Sequence, residues 1–481
     1  MRYISAVPAG AAPGTLYSNE TNDLRAPLAW RATRFRGKNA VELSCKTPRE
    51  GAMAKKQKLA DPLGEPVAGN GLLDRRFFLQ AGAGLAGVAA TANVAYAETI
   101  GSASPPSMLK PGAAFTAYGM PSHWRENVKR VVVANPPPGR EVTGSSRTPL
   151  QMLEGMITPA GLHYVRNHNG TPDIDPDKHQ LAIFGMVKEP LIFDVNALMR
   201  YPMTSEIRFM ECAGNSGASN APMPPQATAA DIHGLLSCSE WTGVKLSTLL
   251  GEAGIDPKAT WLLAEGADAA GMSRSVPVWK AMDDAMIALY QNGEPIRPEQ
   301  GFPMRLLLPG FEGNTNVKWL RKLKVTDTPT YTRDETSRYT ELMPDGKARQ
   351  FMLQMEPKSV ILKPSFGMTM QGPGYYEISG VAWSGLGRVK QVDISADGGK
   401  SWAQAALSGP VLPKAVTRFR LPWMWNGAPV VLMSRTTDEK GVVQKTHAEW
   451  AAQYAPRQNF HFSAIQSWAV GADGKVSNIY V

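Results

Sequence analysis

The residues able to do chemistry in this chain gather in a few short stretches. Cys212 stands in Arg208-Phe-Met-Glu-Cys-Ala-Gly-Asn-Ser-Gly217, a small-residue turn directly after the apolar, strand-like run Ile207, Phe209, Met210. A thiol presented there is a reactive group, a metal ligand or a small buried hydrophobe. Gly214 and Gly217 are expected to supply positive φ and to let a bulky partner approach the backbone. Arg166 and His168 close the stretch Tyr164-Val-Arg-Asn-His168. At a strand end they share one face and both can point at an anion, although a solvated edge strand has the same composition. Arg305 interrupts the apolar run 301–309. It leads into Gly310-Phe-Glu-Gly-Asn-Thr-Asn-Val-Lys-Trp-Leu320, where glycines, amides and Lys318 make the composition of a backbone-rich anion cradle.

The elements that must position these stretches are short. Strands are expected over 181–186 and 261–268, with a second strand-like run over 285–290 after a turn from 278. A helix over 246–253 is stopped by Gly254. A short helix is expected over 122–132. Cys238 sits in a strand-like run beside Trp241 with no base or cation next to it in sequence, and reads as structural. From about residue 351 the pattern changes to alternating strands with turn signals, including Asp397-Gly-Gly399 as a hairpin turn. That spacing predicts an antiparallel β-sandwich. The fold class is therefore α+β: a mixed α/β domain over 98–345 followed by an all-β, immunoglobulin-like domain over 346–481.

Length and composition set outer bounds. The chain has 481 residues, 43% of them hydrophobic and 19% charged, which favours a folded protein over a disordered one. The formal charge is +9, but residues 1–97 hold 13 basic and 7 acidic residues, which leaves 38 against 35, or +3, in the remainder. No global electrostatic case for nucleic acid follows. The three cysteines, Cys45, Cys212 and Cys238, form no CxxC pair, no haem-attachment motif and no zinc spacing. A Cys212–Cys238 bridge is the one disulfide left open, and it would consume the thiol of the central turn.

Residues 1–97 read as a leader region. Asp74-Arg-Arg-Phe-Phe-Leu-Gln80 is followed by a Gly/Ala-rich apolar run and then by Ala95-Tyr-Ala97. Paired arginines, a mildly hydrophobic run and an Ala-x-Ala site make a twin-arginine signal. The apolar run is a poor permanent span, so no membrane span is expected once the leader is removed. Met53 is a candidate true start, before the cationic Lys55-Lys56-Gln-Lys58. The expected location is the periplasm, reached by a chain exported already folded around a cofactor.

Taken together, Tyr164-Val-Arg-Asn-His168, Glu211-Cys-Ala-Gly-Asn215, Gly301-Phe-Pro-Met-Arg305 and Asn316-Val-Lys-Trp-Leu320 resemble the sulfite oxidase family of molybdenum enzymes. The resemblance covers roughly residues 145–470. Within the family it leans toward the molybdenum subunit of Sox-type sulfane dehydrogenases, through Ala264-Glu-Gly-Ala-Asp268, Lys280-Ala-Met-Asp-Asp284 and Glu335-Thr-Ser-Arg-Tyr339. It implies a molybdenum–molybdopterin cofactor with Cys212 as the protein's thiolate ligand, and no haem in this chain. It implies that Tyr164, Val165, Arg166, Asn167 and His168 line the pterin, and that Asp268, Gln300, Arg305, Asn316, Val317 and Lys318 help to hold it. Arg166, Tyr339 and, in a looser match, Arg457 become the catalytic candidates.

Two departures stand out: glycine at 217 where vertebrate sulfite oxidases carry arginine, and glutamine at 300 where they carry histidine. The first favours sulfane sulfur on a carrier protein over free sulfite, the alternative substrate. The implied partners are a c-type cytochrome as electron acceptor, the sulfur-carrier protein, and a second copy of the chain in a homodimer or heterotetramer.

Overall fold

The structure is a computed structural model and describes residues 2–4, 66–75, 104–133, 142–454 and 460–481. Most of the leader, including Met53 and Arg76, lies outside the described residues, as does Arg457. Among the described residues, no helix is long and apolar enough to cross a membrane.

Two sheets carry the first half of the fold. A mixed six-stranded sheet runs in the order Arg2–Ile4, Leu191–Phe193, Leu181–Gly185, Leu320–Thr326, Trp261–Gly266, Ser273–Pro277. A second sheet orders Glu294–Pro295, Met286–Gln291, Leu236–Lys245 and Met203–Glu211, all antiparallel, with Arg305–Leu307 pairing onto Met286–Gln291. The helix Leu246–Ala253 packs between them. Its Leu246, Leu249, Leu250 and Ala253 are buried at i, i+3, i+4 and i+7, and Gly254 ends it at φ +66°. Those four side chains join Leu262, Ala264, Ile287, Leu306 and Leu323 in one core.

The second half is two antiparallel sheets around a shared core. One contains Lys358–Lys363, Gly374–Trp383, Thr417–Trp425 and Ala406–Leu407. The other contains Ala403–Gln404, Val389–Ser395, Val430–Asp438, Ser467–Val470 and Val476–Ile479. Strands 389–395 and 403–404 form a hairpin whose turn carries Gly398 and Gly399 at positive φ. Phe209, Leu236 and Cys238 of the first half bury into the same core as Trp383, Phe419 and Trp468. The end of the strand that leads to Cys212 is therefore seated on the second half of the chain.

Several elements differ from expectation. Residues 122–132 form no α-helix; a single 3-10 turn, His123–Arg125, precedes a strand, Val131–Val133. Three consecutive β-branched valines favour pairing with Gly144–Arg147 over continued helix. Residues 278–283 form a helix rather than a turn, with Lys280 and Ala281 buried. The apolar run 301–309 contributes only Arg305–Leu307 to a sheet. Pro303, which has no N–H to donate, keeps the start of that run out of the ladder.

Candidate active site

The thiol of Cys212 is held by the strand Met203–Glu211 and the turn after it. The Cys212 N–H donates to the Leu235 carbonyl at 3.0 Å, and the Asn215 N–H donates back to the Cys212 carbonyl at 2.9 Å. Asn215 locks the turn from its side chain: Nδ2 donates to Glu211 Oε1 at 2.9 Å and Oδ1 accepts the Leu235 N–H at 3.1 Å. The left-handed residue of the turn is Ser216, at φ +66°; neither Gly214 nor Gly217 takes positive φ. Serine is tolerated there because its buried Oγ lies 2.6 Å from His233 Nδ1 and accepts from Lys358 Nζ at 2.6 Å, fixing a backbone that a non-glycine residue adopts at a cost. Gly217 begins the short 3-10 turn Gly217–Asn220.

Both Cys212 and Cys238 are free thiols, so no disulfide consumes the central one. Cys238 is buried in the Leu236–Lys245 strand. Cys212 is half-buried and opens into a cavity that it lines together with Tyr164, Arg166 and Lys318. Burial pushes its thiol pKa up, opposed by the Gly214 N–H and by Arg166.

Twelve of the residues singled out in the sequence meet in this one cavity: Tyr164, Arg166, Asn167, His168, Cys212, Asp268, Gln300, Arg305, Asn316, Val317, Lys318 and Tyr339. Val165 does not. It lines a separate groove with Ser146 and Gly170, a groove that Asn167 borders as well. Met210, Met272, Gly313, Asn314 and Trp319 also line the cavity. Gly313 and Asn314 lie inside the glycine-amide cradle visible in the sequence. The methionines carried no signal, since a methionine beside a strand is ordinary core.

The cavity is cationic in an unusual way. Arg305 is buried, and its Nη1 and Nη2 donate to the carbonyls of Gln300 and Asn316, each at 2.9 Å. Lys318 Nζ donates to the Glu299 carbonyl at 2.9 Å and to Asn167 Oδ1. Arg166 Nη1 donates to the Asn167 carbonyl at 2.5 Å. Their polar contacts are thus carbonyl and amide oxygens and, for Arg305 Nη2, the Met210 sulfur at 3.0 Å, and among the described residues none of the three forms an ion pair. Burial, then the neighbouring Arg305, depresses the Lys318 ammonium to about 7, and burial depresses Arg305 to about 10. Arg305 Nε and Asn314 Oδ1 are buried with no partner. A buried cation with no ion-pair partner, as Arg305 is, is costly, and an anion entering the cavity relieves that cost.

Opposite them, Tyr339 Oη lies 3.2 Å from His168 Nε2. Burial holds the Tyr339 phenol above its ordinary range, and burial together with Arg166 lowers His168 to about 4. At neutral pH the pair is a protonated phenol beside a neutral imidazole. Gln300 Nε2 donates to the Tyr164 carbonyl at 2.9 Å, while Asn316 uses both ends of its amide within the loop, from Leu308 N–H and to the Glu312 carbonyl.

Gly313 allows the closest approach. A Cβ there would stand 2.6 Å from Tyr164 Oη and 2.8 Å from the Glu211 carbonyl oxygen, with Cys212 Cα at 3.2 Å. Gly313→Ala is expected to lower stability by about 1–3 kcal/mol through overpacking. Urea unfolding measures it; an unchanged midpoint would show that the cradle is slack.

A cavity with one thiol, three cations without ion pairs among the described residues and an amide-rich loop suits an anionic cofactor. Among the described residues, no group of three or more His, Cys, Asp or Glu side chains could hold a metal. A metal at Cys212 therefore takes most of its donors from the cofactor, and a pterin dithiolene with a phosphate tail fits that donor set and those cations. Residues 168–333 match the oxidoreductase molybdopterin binding domain, and residues 349–467 match the Mo-co oxidoreductase dimerisation domain.

The chain is 30% identical over 303 residues to mitochondrial sulfite oxidase of Rattus norvegicus, covering 59% of this chain and 53% of that protein. It is 29% identical over 316 residues to a nitrate reductase [NADPH] of Phytophthora infestans, covering 58% and 34%. It spans about half the length of the curated sulfite oxidases it matches. The crystal structure of the sulfane dehydrogenase SoxCD from Paracoccus pantotrophus superposes with a TM-score of 0.75 at 42% identity, covering 78% of this chain and 97% of that one. The chain belongs to the sulfite oxidase family of molybdenum enzymes.

Proposed function

We propose that this protein oxidises the sulfane sulfur of a carrier-bound persulfide, in a Sox-type thiosulfate-oxidation system, and passes the electrons to a c-type cytochrome. The observation that carries this reading is the Cys212 thiol facing Arg166, Arg305 and Lys318, three cations without ion pairs, in one cavity. The 42% likeness to a sulfane dehydrogenase supports the substrate class. Gly217 supports it too, because a glycine adds no further cation to the loop that presents the thiol. The reading includes export in folded form to the periplasm and removal of the leader. It also includes a homodimer or heterotetramer, with the C-terminal sandwich as an immunoglobulin-like dimerisation module.

When bound, the molybdenum and its pterin dithiolene supply oxygen-atom transfer and two-electron redox chemistry. The rest is done by side chains of this chain. Cys212 contributes one thiolate, a soft ligand suited to such a centre. Arg305 and Lys318, with the backbone of the 313–318 loop, hold the pterin and its phosphate. Arg166 offsets negative charge on the oxygens of the substrate as it is oxidised. Tyr339 keeps its proton and lines the cavity with its hydroxyl 3.2 Å from His168 Nε2. Arg457 is proposed as a further substrate-side cation.

Free sulfite is the second reading, favoured by the curated relatives named sulfite oxidase. Metal analysis followed by turnover assays decides between them, using a persulfide-loaded carrier and free sulfite with cytochrome c as acceptor. Bound molybdenum and a higher kcat/KM for the persulfide are expected. Faster turnover of sulfite would transfer the assignment to the second reading, and a metal-free protein would sink both.

A further inference from the structure

Behind the Cys212 turn lies a buried cluster of charges that the proposed chemistry does not use. Glu312 belongs to the cavity loop, one residue before Gly313. Its Oε1 accepts from Arg274 Nη2 at 2.9 Å, and its Oε2 accepts from Asn314 Nδ2 at 2.9 Å and lies 3.2 Å from His461 Nε2. The same His461 nitrogen is 3.6 Å from Glu341 Oε1. Arg274 also reaches Glu335 Oε1 at 3.3 Å, and Arg349 Nε donates to Glu341 Oε2 at 2.8 Å. Glu312, Glu335, Glu341 and Arg274 are all at most 2% exposed, and His461 is 5% exposed.

The charges decide the state of the imidazole. Three carboxylates, Glu312, Glu335 and Glu341, face two guanidinium groups, Arg274 and Arg349. The cluster is neutral only when His461 carries a proton. A buried net charge is strongly disfavoured, and Glu312, then Glu341 and Glu211, hold the His461 pKa above its ordinary value in spite of burial. The backbone fixes this residue as well. His461 sits at φ +54°, its N–H donates to the Ala213 carbonyl at 2.8 Å, and its carbonyl accepts from Trp450 Nε1 at 2.9 Å. Its other ring nitrogen, Nδ1, is buried with no partner. His461 also lines a small polar cavity between the two halves of the chain, together with Glu356, Lys358 and Ser463. Glu356 in turn pairs with Lys445 at 2.6 Å, where both side chains are partly exposed.

We propose that His461 is the proton-holding group of this site, its imidazolium set between Glu312 and Glu341 and exchanging its proton through the interdomain cavity that it shares with Glu356. The proposal rests on the function inferred above. In that reaction sulfur gains one oxygen from water, two electrons leave to two equivalents of a one-electron acceptor, and two protons are left in the cavity. An imidazolium bridging two carboxylates, with a second nitrogen unoccupied, can release a proton on one side and be reloaded from the other. His461 acts at a distance from the reacting atoms and is a positioning and relay residue.

The test uses the whole protein with its cofactor, as wild type, His461→Gln and Glu341→Gln, and reads thermal stability and the reduction potential of the metal from about pH 5.5 to about pH 9. A histidine whose folded pKa lies above its unfolded 6.5 gives stability that is complete below 6.5 and is lost as pH rises through the folded value. The wild type is therefore expected to lose stability in that window, with the step absent in His461→Gln and moved to lower pH in Glu341→Gln. The potential of the wild type should fall with rising pH and that of His461→Gln should flatten. A stability step that survives in His461→Gln, or a potential with the same pH slope in both, would overturn the proposal, as would an unmoved step in Glu341→Gln should the histidine variant not fold. Absence of molybdenum would defeat the function reading, and the stability profiles would still decide the proton site.

Discussion

Cys212→Ser is expected to abolish turnover while leaving the fold intact. The substitution changes one atom, and the turn does not depend on that atom. It is closed by backbone hydrogen bonds from Cys212 N–H to Leu235 and from Asn215 N–H to Cys212, and by the two bonds of the Asn215 amide. Serine keeps all of them. It cannot keep the soft thiolate, because an alcohol holds its proton at neutral pH and is a poor ligand for a centre that selects sulfur. A drop of at least about a thousandfold in kcat follows if Cys212 is the protein ligand, a barrier change of about 4 kcal/mol. Thermal unfolding should move by less than about 1 kcal/mol in the cofactor-free protein, since surrounding contacts are unchanged. Metal analysis completes the experiment: the pterin can remain bound through Arg305 and Lys318 even where the metal site is altered. Full turnover in the serine variant would remove Cys212 from the site.

Much of this cavity was legible because its parts are local in sequence. Arg166 and His168 are two residues apart on a strand end, and Asn316, Val317 and Lys318 are consecutive, so composition and alternation place them together before any tertiary contact is considered. Val165 is the one member of the five-residue motif that lines the neighbouring groove and not this cavity, a distinction that a run of consecutive residues does not reveal. Ser216 was missed because propensity assigns left-handed backbone to glycine. Here tertiary hydrogen bonds from Lys358 and to His233 make a serine the residue that takes it. The helix Val278–Asp283 was missed because six residues are too few to establish a period. The charge network behind the site was invisible for a stronger reason. Glu312 and His461 are 149 residues apart, and Glu211 and Lys358 are 147 apart. No local pattern pairs them; only the docking of the second half on the first does.

That docking carries the second large effect, Lys358→Met. Lys358 opens the strand Lys358–Lys363 and its side chain is 2% exposed. Its Nζ lies 3.3 Å from Glu211 Oε1 and 2.6 Å from Ser216 Oγ, and sits over the Trp383 ring at 5.6 Å. It thus holds residues on both sides of Cys212 at once. Burial lowers the lysine pKa, and Glu211 opposes that shift. Methionine fills the same volume without the charge, which isolates the electrostatic loss from any cavity. Glu211 keeps Trp383 Nε1 at 2.6 Å and Asn215 Nδ2 at 2.9 Å, but both are neutral donors, so the buried carboxylate loses its ion-pair partner. Breaking such a pair from one side costs about 3–5 kcal/mol, enough to move the denaturant midpoint plainly. Adding Glu211→Gln removes the stranded charge, so the double variant should be more stable than the sum of the single losses by about 0.5–3 kcal/mol. Additive losses would mean that the two side chains do not interact across the interface. Because the pair grips the residue before Cys212, the single variant should also bind less molybdenum than Glu211→Gln/Lys358→Met.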